Sequence, residues 1–230
     1  MPYFFYDYYY IILVIPAMLL AAFAQFKVKS TYNKFSKIDN SRRITGAYAA
    51  QAVLTHYGIR DVRIEHVSGN LTDHFDPKTK VIRLSDGVYN GTSVAAVGIA
   101  CHEAGHAAQH AEDYKPIKIR NSLIPVCNIG SSLGIPLAIA GYFFGFDMLI
   151  TVGLLLYSAI MIFQLVTLPV EFNASKRAIN VIDETRLLAD DEIGGAKKVL
   201  SAAAMTYVAS MIVAVANLLR LVLRFSRKRD

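Results

Sequence analysis

Nineteen consecutive residues, Tyr8 to Phe26, carry no charge, and from Asn121 to Val170 the single charged side chain is Asp147. A bilayer's hydrocarbon core takes about 20 apolar residues of helix, and in lipid every backbone polar group must be satisfied within its own element. Runs of this kind therefore predict helices that cross a membrane, and a chain that is 54% hydrophobic agrees with that class. Asp147, next to Gly145 and Phe146, divides the second region into spans 121–146 and 148–170 joined by a tight turn. The first run follows a tyrosine-rich entry and ends at Lys27 and Lys29, as a span with an aromatic belt does. Nothing basic precedes it, so it reads as a retained anchor rather than a cleaved signal peptide. Pro16 is placed to kink it, which membrane helices tolerate. Gly130/Gly134 and Gly141/Gly145 set small residues four apart, the pattern of closely packed membrane helices.

Sidedness follows from where the positive residues lie. Lys27, Lys29, Lys34, Lys37, Arg42 and Arg43 follow the first run, and the positive-inside rule places that side in the cytoplasm. They also explain much of the net charge of +6 without nucleic-acid binding, for which no pattern is present. The last uncharged run, Val199 to Leu219, is long enough to span. A fourth crossing, however, would put Arg224, Arg227, Lys228 and Arg229 outside, against the bias. Asn217, Arg220 and Arg224 also recur on one helical face. The expectation is a mainly α membrane protein with three spans and a membrane-associated C-terminal helix, four spans being the alternative. Its parts are an anchor (1–27), a cytoplasmic catalytic part (28–120), a transmembrane hairpin (121–170), a cytoplasmic helix (171–198) and a C-terminal helix with a basic tail (199–230).

The chemistry is concentrated in Cys101-His102-Glu103-Ala104-Gly105-His106-Ala107-Ala108-Gln109. Two histidines four apart share a helix face, because four residues carry the chain just past one turn. Their imidazoles can hold one zinc, with Glu103 beside them to take a proton from water, the His-Glu-x-x-His arrangement of a metal-dependent peptidase. Asn90-Gly91-Thr92-Ser93 supplies turn chemistry and an N-cap, followed by Val94, Val97, Cys101 and Ala108 at helical intervals. Two incidental histidines are the alternative, but unpartnered imidazoles in an apolar helix are costly. Gly105 costs helix stability, about 1 kcal/mol against alanine, so its place between the histidines implies a close neighbour. Cys101 and Cys127 read as small buried hydrophobes.

A catalytic zinc usually takes three protein ligands. A metzincin pattern would need glycine and histidine where this chain has Gln109 and Glu112. His110 lies about 12 Å along the helix from His102 and cannot reach the same ion. Asp147 is at the far membrane face. Glu171 is the first carboxylate on the returning helix, with Ala174, Ser175 and Ala178 on its face allowing close approach. Asp183, Glu184 and Asp190-Asp191-Glu192 read as a solvated face or helix caps.

Between anchor and zinc helix, residues 41–57 have amphipathic spacing ended by Gly58. Residues 59–66 alternate like a strand, and 71–75 with 80–84 resemble a hairpin across Asp76-Pro77-Lys78-Thr79. Val81, Ile82, Arg83 and Leu84 form either an ordinary sheet strand or an exposed edge that pairs with an extended substrate. His56, His66 and His74 read as surface or satisfied histidines.

The segment His102 to Gln109 together with Leu168-Pro169-Val170-Glu171-Phe172-Asn173-Ala174-Ser175-Lys176-Arg177-Ala178 resembles the YugP-type neutral zinc metallopeptidases of bacterial membranes. Leu71-Thr72-Asp73-His74-Phe75-Asp76-Pro77 and Arg83-Leu84-Ser85 carry the resemblance further, so it covers most of the chain. The Glu-x-x-Ala step at Glu171–Ala174 is more distantly similar to HtpX-like and CaaX prenyl proteases. The resemblance implies a gluzincin-like core with His102, His106 and Glu171 on a single zinc. Where many gluzincins carry an aspartate that orients a zinc histidine, this chain has Ser175, which offers a weaker hydrogen bond.

The expected activity is endopeptidase hydrolysis by zinc-activated water, with Glu103 as general base and Tyr207 or Arg177 as a further oxyanion donor. The expected substrate is a membrane-proximal peptide or protein, met at the cytoplasmic face of a multi-pass cell-membrane protein. A zinc-binding scaffold without turnover is the alternative. An intact Glu103 favours the enzyme, and the nearly charge-free spans disfavour a transporter.

Overall fold

The computed structural model describes residues 7–226. Aromatic residues 3–6 of the expected belt and basic residues 227–229 of the tail lie outside them. The elements in order are α1 (Ile15–Phe35), α2 (Gly46–His56), β1 (Arg63–His66), β2 (His74–Asp76), β3 (Val81–Leu84), α3 (Asp86–Tyr89), α4 (Val94–Ala111), α5 (Lys115–Phe144), α6 (Asp147–Glu184) and α7 (Asp190–Ser226). Two compact units emerge, one of residues 26–115 with 170–204, the other of 7–25, 116–169 and 205–226.

The second unit is a helical bundle. Among the described residues four helices are long and apolar enough to cross a membrane, Tyr10–Phe35, Lys115–Phe144, Asp147–Glu184 and Asp190–Phe225. Large apolar side chains face outward on them, Leu19, Phe23, Met148 and Leu155 each more than 60% exposed. A water-soluble protein seldom presents such surface, whereas hydrocarbon favours it. α7 is among the four, where the sequence favoured a helix lying on the membrane and kept a fourth span as the alternative.

The glycines divide into two kinds. Gly134 on α5 and Gly153 on α6 face each other, and a β-carbon at Gly153 would come 2.6 Å from the Ala138 backbone nitrogen. Gly130 and Gly141 also meet α6 backbone, so α5 and α6 approach as closely as their spacing suggested. Gly145 differs, having open space around it and φ +73°. It turns the chain at the end of α5 rather than packing a helix. Before Pro16, a π-helical turn spans Tyr10–Val14, and Ile15 N–H donates to the Tyr10 carbonyl. A widened turn of this kind makes room where a proline ring would meet the preceding backbone.

At one end of the bundle, Asp7 accepts a hydrogen bond from Tyr10 N–H at 2.8 Å and pairs with Arg220 at 3.3 Å and Arg224 at 3.6 Å. The Arg220 guanidinium also lies over the Tyr10 ring, 5.0 Å from its centre. Phe225 packs against Tyr142 near the α5–α6 turn. Within this unit the start of the first helix, the end of the last and the α5–α6 turn therefore share one end.

The other unit packs around α4. Ser93 caps this helix by accepting from Ala96 N–H at 3.1 Å, and its small residues are buried on nearly every side. Leu54, Ile82, Leu84, Val97, Ala104, Val181, Ile182 and Leu188 share its core. Gly98 lies against Ala196 of α7, a helix whose Glu192 accepts hydrogen bonds from Ser41 and Ala189 N–H. α2 begins later than expected, at Gly46, because Asn40 binds both the N–H and the carbonyl of Ile44 and holds that stretch out of helix. It ends before Gly58, at φ +67°.

The sheet decides between the two readings of Val81–Leu84 in favour of an ordinary strand. Its order is β1-β3-β2, with β3 parallel to β1 and antiparallel to β2. Val81, Ile82, Arg83 and Leu84 thus form the middle strand, paired on both sides from Val81 to Arg83, which leaves no free edge there for a substrate strand. The hydrophobic run Val81-Ile82, wholly buried, suits a central position. The free edges are β1 and β2. Asp76 begins the hairpin turn, where bonds from Thr79, Lys78 and Arg83 hold its carboxyl down to about 2.

Candidate active site

α4 and α6 converge at the helix face carrying the two histidines. Gly105 makes the approach possible, since a β-carbon there would come 2.8 Å from the Ala174 carbonyl oxygen. Ala174 and Ala178 are fully buried in the same contact. At this crossing His102 Nε2 lies 3.4 Å and His106 Nε2 3.7 Å from the same Glu171 carboxylate oxygen. The three donor atoms lie within 4.8 Å of one another, a group able to hold a metal ion. Tetrahedral zinc with bonds of about 2.0–2.1 Å places its ligand atoms about 3.3 Å apart. The residues present therefore fit zinc in donor type, number and spacing.

The ring nitrogens behind the two imidazoles' Nε2 atoms are also engaged. Ser175 Oγ is 3.1 Å from His102 Nδ1, and Gln109 Oε1 is 3.0 Å from His106 Nδ1. With each Nδ1 occupied from behind, each Nε2 is left facing Glu171, as metal-binding imidazoles require. Ser175 thus stands where the resemblance implied a supporting residue. Gln109 had no such role in the sequence reading, which used it only to exclude a metzincin. A polar residue at 0% exposure on an apolar helix must find partners, and that was the available signal.

Electrostatics tie the cluster together. Burial would raise the Glu171 carboxyl, but hydrogen bonds and charge from His102 and His106 hold it well below the usual carboxylate range. Burial likewise would lower His106, yet Glu171 and Glu103 bring it above its ordinary value. A folded-state pKa lower than the unfolded one means the Glu171 carboxylate stabilises the fold at neutral pH. That contribution fades as acid titrates it. The raised His106 works in the opposite sense, contributing below its unfolded pKa and losing that as pH rises through the folded one.

Glu103 follows His102 on α4, partly buried. Arg177 pairs with Glu112 at 2.7 Å, donates from Nε to Asn173 at 2.8 Å and lies over the Tyr57 and Tyr114 rings. Tyr207 belongs to the bundle unit. His66 bonds Asp86, His74 bonds the Thr72 carbonyl, and His56 approaches Glu184. His110 packs edge-on against Phe75 of β2. Cys101 is fully buried, which pushes its thiol up.

Comparison with known proteins follows the same lines. Residues 10–226 match the family described as "Putative neutral zinc metallopeptidase". The chain is 46% identical over 221 residues to the "Putative membrane protease YugP" of Bacillus subtilis (strain 168), covering 96% of this chain and 98% of that protein. No solved structure matches it. Helices long enough for a membrane, a zinc-compatible triad and similarity over nearly the whole length place this chain in the neutral zinc metallopeptidase family.

Proposed function

We propose that the protein is a membrane-embedded zinc endopeptidase with one ion per chain, held by His102, His106 and Glu171. The observation that carries this reading is the convergence of two imidazoles and a buried carboxylate from separate helices, with Glu103 alongside. Zinc bound there would supply a Lewis acid that polarises water and the scissile carbonyl. Glu103 accepts the proton of the attacking water and delivers it to the departing amine. Arg177 is already engaged by Glu112 and Asn173, so the reading gives oxyanion stabilisation chiefly to the metal.

The reading seats substrate in a cleft that shares a face of α4 with Glu103. A cleft of about 420 Å³ is lined by Tyr57, Arg60, Asp61, Lys80, Ala107 and His110 among others. Ala107 and His110 stand four and seven residues after Glu103, on the same face of α4. With β3 paired on both sides, the edge open to an extended peptide near α4 is that of β2, whose Phe75 touches His110. The test is direct. Purified protein loaded with one zinc per chain is expected to degrade an unfolded protein such as casein, to stop after chelation and to resume when zinc is returned. Chelator-insensitive hydrolysis, or none with zinc bound, would reject the assignment.

The reading also places four spans in the cell membrane, with residues 26–115 and 170–204 on the cytoplasmic face. Lysines and arginines after the first span support that orientation. Of the basic residues that counted against a fourth crossing, Arg224 is paired with Asp7, as is Arg220 of the polar face, which weakens that part of the objection. In a chain with Cys101 and Cys127 replaced by alanine, a cysteine appended after Asp230 and Phe146→Cys should both react with an impermeant maleimide on intact cells. Lys37→Cys should react only after permeabilisation. An appended cysteine that behaves like Lys37→Cys would mean three spans.

A further inference from the structure

The side chain of Gln109 is buried and touches both helices of the zinc site. Its Oε1 lies 3.0 Å from His106 Nδ1, while Nε2 donates to the Val170 carbonyl at 2.8 Å and to Asn173 Oδ1 at 3.0 Å. These contacts admit one orientation of the amide. A backbone carbonyl can only accept, so the NH2 group must face Val170, and the oxygen must face the imidazole. Asn173 Oδ1 agrees, because it also accepts from Arg177 Nε. An amide oxygen facing Nδ1 requires that nitrogen to carry the proton, which leaves the lone pair on Nε2, the atom nearest Glu171.

The contact to Val170 adds a second constraint. Val170 immediately precedes Glu171, so one amide grips the backbone beside one ligand and the ring of another. The chain of bonds continues from Asn173 through Arg177 to Glu112, just past the end of α4. It starts on α4, passes through α6 and returns to the residue that caps the end of α4. Ser175 holds His102 by a single contact from α6; the His106 side is held by this closed loop.

Resting on the zinc reading above, we propose that Gln109 is a positioning residue. It selects the tautomer of His106 that presents Nε2 and sets the spacing between His106 and Glu171, with Asn173 as its anchor. Loss of such a supporting partner typically weakens metal binding roughly 10–100-fold.

The test measures zinc affinity of the purified full-length protein by competition with a fluorescent chelator, together with the melting temperature of the zinc-free protein. Gln109→Ala and Gln109→Met, the second keeping side-chain bulk, are expected to bind zinc roughly 10–100-fold more weakly. Asn173→Ala, which leaves Gln109 in place, should lose less. Combining it with Gln109→Ala should add little, because both act through one connected set of bonds. Cobalt-loaded Gln109→Met should show shifted visible absorption bands, reporting altered coordination. Zinc affinity within about twofold of the parent in both Gln109 variants, short of that range, would overturn the proposal, as would fully additive losses. Equal lowering of the zinc-free melting temperature with unchanged affinity would make Gln109 merely structural. A parent that binds no zinc would defeat the underlying metal assignment as well, which separates the two failures.

Discussion

Glu103→Gln protein is expected to bind zinc as tightly as the parent and to hydrolyse peptide bonds about 10²–10⁴-fold more slowly, the range a positioned general base contributes. Glutamine matches glutamate in shape but cannot take a proton from water at neutral pH. Glu103 lies outside the group of donors formed by His102, His106 and Glu171, so the exchange should leave metal content intact. Turnover of a quenched fluorescent protein substrate, measured beside zinc content by atomic absorption, separates the two quantities. Hydrolysis close to the parental rate with full zinc occupancy would move the base role to another residue. Loss of both activity and zinc would instead place Glu103 among the ligands.

Removing a ligand should have the reverse signature. Glu171→Ala leaves two imidazoles on one helix and takes away the sole contribution from α6. Catalytic zinc usually needs three protein ligands, so affinity should fall beyond the roughly 10–100-fold expected for a supporting hydrogen bond. Activity should disappear at any zinc concentration that leaves the protein in solution. Glu171 is 4% exposed, and its carboxylate is within 3.7 Å of both histidines. No other carboxylate joins that group among the described residues. Zinc titration of the variant against the parent checks this. Near-parental affinity would show that the third ligand lies elsewhere.

Legibility in the sequence followed the range of the interaction. The face of α4 that carries both histidines could be read because it needs only the helical repeat of one segment. Glu171 was reachable by combining repeat with crossing count, a longer inference that still used chain order alone. The Val81–Leu84 strand was recognisable from its residues, but its place between β1 and β3's other neighbour, β2, was not. An apolar strand preference is satisfied equally at an edge or in the middle until partners are known. Gly141 and Gly145 show the same limit, since one packs against α6 and the other turns the chain, although their spacing suggested a shared role.

Gln109 gives the clearest contrast. Its partners Val170 and Asn173 are 61 and 64 residues away, and no local pattern specifies which buried amide meets which carbonyl. Asp7 and Arg220, 213 positions apart, are a second pair of this kind. By itself, then, the order of residues determined membrane-length helices and a histidine pair with a neighbouring glutamate, because charge-free length and helical period are properties of short stretches. The third donor's approach, the amide that orients His106 and the pairing of the sheet were decided by tertiary structure. There, small residues let backbones close together, and each buried polar group had to find a partner far along the chain.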